Sequence, residues 1–143
     1  MATKKNNNTI ALLSIQPKYV ELILNGIKKV EFRKTKFRNS ISIVVVYVTD
    51  PVQRIVCCFK VSYLDENTPK NLWGKYKNIG GIMYEDFFSY YNSSEKGLAI
   101  GIDKVKTLKN PIQLNSLKKG LKAPQSFSYL PEEDFKKLRI TNY

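Results

Sequence analysis

The sequence contains no histidine and only two cysteines, which are adjacent at Cys57 and Cys58. In a strand, neighbouring side chains point to opposite faces, so these two thiols are poorly placed to form a disulfide. The lack of histidine excludes a histidine-dependent catalytic triad, and the cysteines do not have the spacing of a zinc site. We therefore expect no metal and no cofactor, and any chemistry must use Lys, Glu, Asp, Ser, Thr or Tyr side chains.

Long apolar runs are also missing. No stretch approaches the roughly 18 apolar residues that a membrane-spanning helix requires. The first nine residues, MATKKNNNT, are polar and have no apolar segment of the kind found in secretory signals. These absences predict a cytoplasmic protein without a membrane span.

Acidic residues are scarce, with 12 Asp and Glu against 24 Lys and Arg, for a net charge of +12. Such an excess produces a positive field that attracts polyanions, and phosphate-bearing ligands are the obvious partners. The alternative is that the lysines only solvate the surface.

The length of 143 residues fits one domain. We expect residues 1–9 to form a flexible N-terminal tail and residues 10–143 to form a single domain. Helices inserted between irregularly spaced strands predict an α+β fold built on a curled sheet or small β-barrel. The patterns predict strands at Ile10–Ile15, Lys29–Arg33, Ile41–Val48, Ile55–Leu64, Gly97–Val105 and Phe127–Tyr129, an extended segment with Ile112 and Leu114, and helices that begin near Pro17, Thr68, Tyr84 and Pro131.

The clearest local pattern is a helix followed by a strand. Pro17 suits the first helical position, and Gly26 lies where a C-terminal glycine cap is expected. The predicted apolar face of this helix consists of Val20, Ile23, Leu24 and Ile27. In the strand, the period of two separates apolar Val30 and Phe32 from polar Lys29, Glu31 and Arg33.

The segment LLSIQPKYVELILNGIKKVEFRK, from Leu12 to Lys34, is similar to the signature of ASCH proteins, in which a Ser-Ile-x-Pro opening leads through a helix to Gly-x-Lys-x-x-Glu-x-Arg. VVVYVTDP, the Trp73 helix, GLAIGI and APQSFSYL also resemble later landmarks of the family. The resemblance covers most of the chain from Ile10 to Leu130. It implies a PUA-like β-barrel with a cleft between the barrel and the first helix, and a function related to RNA. A few members cleave RNA or deacetylate a modified cytidine.

A dense cationic stretch follows the first helix. Arginine can hold a phosphate or a base edge at two points, whereas lysine acts as a point charge. We expect Lys28, Arg33 and Lys34 to contact phosphate. The complete stretch consists of Lys28, Lys29, Arg33, Lys34, Lys36 and Arg38.

Glu31 is the acidic exception in this stretch. Because Glu31 and Arg33 share one strand face, a structural salt bridge between them is one interpretation. The other is that Glu31 beside Lys28 accepts hydrogen bonds from a base or ribose, or acts as a general base. Lys28 and Glu31 are therefore the candidate catalytic residues. The cytidine-deacetylating relatives carry Thr where this sequence has Glu31, so the resemblance does not extend to their nucleophile.

Other candidates lie outside the motif. Tyr19, Tyr47, Trp73 and Tyr84 can supply stacking surfaces for unpaired bases, although packing in the core is the alternative for each. Gln125 is a candidate for base or sugar recognition. The hydroxyls of Ser126 and Ser14 can face a cleft, with turn or cap roles as the alternative.

Three functions remain open from the sequence. The chain is expected to be an RNA- or nucleotide-binding protein that uses a basic cleft between the first helix and the barrel. It is alternatively a hydrolase that acts on RNA or a modified nucleoside, or a regulatory module whose basic face meets an acidic protein. The predicted ligand contacts are Lys28, Glu31, Arg33, Lys34, Tyr47, Gln125 and Ser126, and the sequence leaves the oligomeric state open.

Overall fold

A computed structural model describes residues 9–140 and 143, which form six strands and five helices. Residues 1–8 of the predicted N-terminal tail lie outside this described part. The elements in chain order are β1 (Ile10–Ile15), α1 (Pro17–Leu24), β2 (Val30–Arg33), β3 (Ile43–Val48), β4 (Arg54–Asn67), α2 (Pro69–Tyr76), α3 (Tyr84–Tyr90), β5 (Gly97–Ile112), α4 (Leu114–Leu117), β6 (Phe127–Leu130) and α5 (Glu132–Lys136).

The strands form one sheet in the order β2-β5-β4-β3-β1-β6. β1 pairs with β3 in parallel, and the other pairings are antiparallel. The parallel pair requires a crossover, which α1 and β2 supply. The predicted α+β fold is therefore confirmed.

Both faces of the central strands are buried, as the continuous β-branched run predicts. Val44, Val46 and Val48 of β3 pack into a first core with Phe59, whereas Val45 packs into a second core on the opposite face. Alternation along the strand thus supplies two cores from one segment.

A third core lies where α2 and α3 cover β2. The Thr68 side chain accepts a hydrogen bond from the Asn71 backbone N–H, so Thr68 caps α2 as its sequence predicts. From β2, Val30 and Phe32 pack in this third core with Leu72, Phe87 and Tyr91. β2 therefore directs its apolar side chains toward α2 and α3.

Several details differ from the sequence prediction. β3 begins at Ile43 and not at Ile41, and β4 runs from Arg54 to Asn67, beyond the predicted end at Leu64. Leu114 begins α4 and is not extended, and β5 continues beyond Val105 to Ile112. On α1, Val20 and Ile23 are buried, but Leu24 and Ile27 are exposed, because the helix ends at Leu24 and the chain turns away.

The sheet is open among the described residues, because β2 and β6 lie at its two edges. The closed barrel implied by the resemblance is not found there. The Arg33 side chain on β2 nevertheless donates hydrogen bonds to the carbonyls of Ser14 at the end of β1 and of Ser126 just before β6. The sheet must therefore curl until its two edges approach each other. None of the helices in the described part is long and apolar enough to span a membrane.

Candidate functional site

A cavity of about 660 Å³ lies where the two sheet edges approach. Four segments surround it: the end of β1 with the start of α1, the strand β2, the helix α3, and the residues that precede β6. The lining residues are Ser14, Ile15, Gln16, Lys18, Tyr19, Lys28, Glu31, Phe32, Arg33, Lys34, Thr35, Thr49, Ile82, Asp86, Ser89, Tyr90, Gln125 and Ser126.

Lys28 is the most buried charged residue of this wall, with 2% of its surface exposed. Its Nζ donates a hydrogen bond to the Gly80 carbonyl at 2.6 Å and lies 3.6 Å from the Glu31 carboxylate. It also lies 5.2 Å from the centre of the Tyr19 ring, a cation–π distance. Burial lowers the pKa of Lys28, and the charge of Glu31 opposes that shift. The amine therefore loses its proton more readily than a surface lysine does.

Glu31 lies between the two cations. One carboxylate oxygen faces Lys28, and the other accepts a hydrogen bond from Arg33 Nη1 at 3.0 Å. Only 6% of the residue is exposed. The salt bridge that the strand spacing suggested is therefore present, and it is buried on the cavity wall.

Arg33 uses most of its donors within the protein. Nη1 donates to Glu31 and to the Ser14 carbonyl, and Nη2 donates to the carbonyl and the hydroxyl of Ser126. Of its five N–H groups, the buried Nε–H has no partner among the described residues. A phosphate could bind the Arg33 fork only by displacing these contacts, so Arg33 positions Glu31 and the segment before β6.

The two serines of the cavity have different roles. The Ser14 hydroxyl donates to the Pro124 carbonyl at 2.7 Å and fixes the segment that leads to Ser126. The Ser126 hydroxyl accepts a hydrogen bond from Arg33, which leaves its own proton available to donate. Gln125 is exposed at the same edge of the cavity.

The glycine pair after α2 holds Lys28 in place. Gly81 has a φ of +62°, which favours glycine, and a Cβ there would lie 2.8 Å from the Lys28 Cβ. A Cβ on Gly80 would lie 2.7 Å from the Phe32 ring. The sequence indicates these glycines as a helix stop, but their close approach to Lys28 depends on tertiary structure.

The helix α3 forms a second wall, which the sequence analysis did not predict. Asp86, Ser89 and Tyr90 line the cavity and are spaced at i, i+3 and i+4, so they share one helix face. Lys34 Nζ lies 5.0 Å from the centre of the Tyr90 ring. The i, i+3, i+4 spacing of these polar residues could have indicated a helix face that lines the cavity, but the aromatic residues of α3 suggested packing in the core.

The predicted contacts divide into two groups. Lys28, Glu31, Arg33, Lys34, Gln125 and Ser126 all line the cavity. Tyr47 does not, because it is buried in the second core with Leu12 and Val45. Lys29, Lys36 and Arg38 are exposed outside the cavity lining.

Two other stacking candidates also lie away from the cavity. Trp73 packs against Phe87, Phe88 and Tyr84, with ring centres 5.1 to 6.0 Å apart.

Among residues 9–140 and 143, no three Asp, Glu, His or Cys side chains are grouped so that they could hold a metal ion.

Proteins with a similar sequence and a similar fold are known. The sequence model of the ASCH domain matches residues 13–106. A protein of Zymomonas mobilis called ASCH domain-containing ribonuclease is 26% identical over 132 residues, which cover 90% of this chain and 88% of that protein. The crystal structure of ASCH from Zymomonas mobilis has a TM-score of 0.84 and 24% identity, and the match covers 91% of this chain and 93% of that one.

Proteins of Ureaplasma parvum also match this chain. A protein called ATP synthase subunit alpha is 31% identical over 120 residues, or 83% of this chain, and one called large ribosomal subunit protein uL22 is 28% identical over 132 residues, or 90% of this chain. The chain spans only 15% and 42% of the lengths of these two proteins.

Proposed function

The chain belongs to the ASCH domain family, and we propose that it binds RNA, with a nucleotide held in the cavity between α1, β2 and α3. The observation that carries this proposal is the composition of the cavity, which combines cationic groups with aromatic rings. Lys18, Lys28, Arg33 and Lys34 line it, together with Tyr19 and Tyr90. Cations that track phosphates and rings on which bases stack are the two components of single-strand binding.

The cationic groups have different roles in this proposal. Lys28 and Arg33 are largely shielded from solvent and hold the carboxylate of Glu31, whereas Lys18 and Lys34 are exposed. Lys18 and Lys34 contact phosphate, because among the described residues neither ammonium has a salt bridge or a hydrogen bond to give up, and each gives up only a contact with a tyrosine ring. The Zymomonas mobilis relative called a ribonuclease supports RNA as the polyanion.

Binding of a labelled single-stranded RNA at several salt concentrations tests the proposal. The double variant Lys18→Ala/Lys34→Ala should bind on the order of tenfold more weakly, and the slope of log K against log salt should fall by about 1.4, or 0.7 for each phosphate that the variant no longer neutralises. The matched control is Lys70→Ala/Lys109→Ala, which removes the same charge from exposed positions outside the cavity.

Equal loss of affinity in both double variants would mean that overall charge, and not the cavity, drives binding. An acidic protein that copurifies in stoichiometric amount without nucleic acid would instead favour the regulatory-module alternative.

A second candidate function is hydrolysis of RNA or of a modified nucleoside, and the contact between Lys28 and Glu31 favours it. Cleavage of RNA by its own 2′-hydroxyl needs a base that accepts the hydroxyl proton and a cation that stabilises charge on the phosphoryl oxygens. In this candidate function, Glu31 acts as the base and the Lys28 ammonium as the stabilising cation.

Incubation with end-labelled RNA and with acylated nucleosides tests hydrolysis. Glu31→Gln should abolish product if Glu31 is the base, and Lys28→Gln should abolish it if Lys28 stabilises the charge. Circular dichroism must show that each variant is folded. Product formed at the wild-type rate by folded Glu31→Gln would exclude Glu31 as the base.

A further inference from the structure

The two carboxylates of the cavity differ in their surroundings. Glu31 is buried, and each of its oxygens faces a cation. Asp86 is exposed on α3, and it has no ion pair within 4 Å among residues 9–140 and 143. Only Asp86 can therefore offer both carboxylate oxygens to a ligand without giving up an internal salt bridge.

A carboxylate in this position works against phosphate binding. It lies in a cavity lined by four cationic side chains, where it reduces the positive potential that attracts phosphate. An ionised carboxylate only accepts hydrogen bonds, so its ligand must present donors. A nucleotide has such donors in the exocyclic amines of cytosine, adenine and guanine.

We propose that Asp86 is a specificity-determining residue that accepts a hydrogen bond from the exocyclic amine of a base stacked on Tyr90. This inference rests on the proposed function, because it assumes that a nucleotide occupies the cavity. Asp86 and Tyr90 are four residues apart on α3 and both line the cavity, so they share one helix face there. A base on the ring can then direct its edge toward the carboxylate.

The comparison between cytosine and uracil follows from this geometry. Cytosine presents an amine at its fourth ring position, and this amine donates a hydrogen bond to a carboxylate, whereas uracil presents a carbonyl oxygen there. A carboxylate next to that carbonyl brings two acceptors together, so the two oxygens repel each other and no hydrogen bond forms between them. Asp86 therefore selects cytosine over uracil, two pyrimidines of the same size.

The test measures binding of two oligonucleotides of equal length, one of cytidines and one of uridines, so that their phosphate contacts are matched. Wild-type protein should bind the cytidine oligonucleotide on the order of tenfold more tightly. Asp86→Ala should bring the ratio of affinities close to one. Asp86→Asn should also reduce the ratio, because an amide can pair with either edge.

Glu85→Ala is the matched control. Glu85 is an exposed neighbour on α3 outside the cavity lining, so this variant removes the same charge from the first turn of the same helix. It should keep the wild-type ratio of affinities, and retention of that ratio separates base recognition from a general change in charge or in helix stability.

Each contrary outcome identifies what has failed. Equal binding of both oligonucleotides by the wild type, with salt dependence intact, overturns the role of Asp86 and leaves RNA binding in place. If Asp86→Ala binds both oligonucleotides more tightly and the ratio of affinities is unchanged, Asp86 only repels phosphate. That result also overturns the proposed role of Asp86 in base selection. No binding of either oligonucleotide rejects the proposed function together with this inference.

Discussion

Two clusters of this molecule each hold a carboxylate beside a lysine, but in different surroundings. In the cavity cluster, the Glu31 carboxylate is held by Lys28 and Arg33; in the surface cluster, the Asp65 carboxylate is held by Lys75 and Tyr76. The Lys28 side chain is 2% exposed, whereas that of Lys75 is 51% exposed.

The pKa values of the two lysines shift in opposite directions. Burial lowers the pKa of Lys28, whereas the hydrogen bond to Asp65 raises the pKa of Lys75. Both lysines have a carboxylate partner, so the partner alone does not decide the direction. The direction of the pKa shift is set by how much water each ammonium group loses on folding. Lys28, which loses most of its water, is the lysine that lies on the cavity wall.

The largest expected difference between the clusters is in stability. Glu31→Gln leaves two buried cations without their counter-charge, so it should lower the free energy of unfolding by about 3–5 kcal/mol. Asp65→Asn should have an effect several times smaller, because water solvates the groups that remain. Urea denaturation of both variants measures the difference. Equal losses would show that burial does not distinguish the two clusters.

Glycine substitutions test how tightly the backbone packs around each of the two lysines. Gly81→Ala places a Cβ against Lys28 at a positive φ, so it should cost about 2–3 kcal/mol of unfolding free energy. The control is Gly74→Ala, next to Lys75 in α2, where a new Cβ meets nothing within 4 Å. This control should stabilise the protein by about 0.5–1 kcal/mol.

Thermal unfolding of the two alanine variants should therefore give melting temperatures that move in opposite directions. A stable Gly81→Ala variant would mean that the loop after α2 can move away from Lys28 without cost.

Alkaline titration sharpens the comparison further. Because the pKa of Lys28 is lowered in the folded state, the unfolded chain binds more protons between that pKa and 10.5, so the stability of the folded protein rises with pH across this window. The free energy of unfolding of the wild type, minus that of Lys28→Met, should therefore rise with pH, by at most about 1.4 kcal/mol per pH unit.

Lys75 gives the opposite expectation. Its raised pKa means that its contribution is fully present below pH 10.5 and is lost only above it. The difference between wild type and Lys75→Met should therefore stay flat from pH 8 to pH 10. A flat difference for Lys28→Met as well would contradict the lowered pKa.

Much of the cavity cluster could be predicted from the sequence, because its contacts are local. Glu31 and Arg33 are two residues apart on one strand, and Lys28 precedes Glu31 by three residues. The α+β class and the Thr68 cap also followed from local patterns. The sequence could not show how many N–H groups of Arg33 are already hydrogen-bonded within the protein, because its partners Ser14 and Ser126 are 19 and 93 residues away.

Residues with two possible faces were harder to place. Tyr47 lies in a strand buried on both sides, so alternation could not tell whether it faced the cavity or the second core. The α3 wall was missed because Phe87 and Phe88 made the helix resemble a core element. Asp86 and Tyr90 reach the cavity only through the packing of α3 against β2, which depends on the third core.

The smallest expected difference concerns two tyrosine hydroxyls. Tyr91 donates to the Arg33 backbone carbonyl at 2.7 Å, and Tyr76 donates to Asp65 at 2.6 Å. Tyr91→Phe should cost about 1 kcal/mol of unfolding free energy, because it leaves a carbonyl beside the cavity without its donor. Tyr76→Phe should cost less, since Asp65 keeps Lys75 and solvent. Because the two bonds have nearly equal lengths, unequal losses in urea denaturation would show that hydrogen-bond length does not set the energetic difference between the clusters.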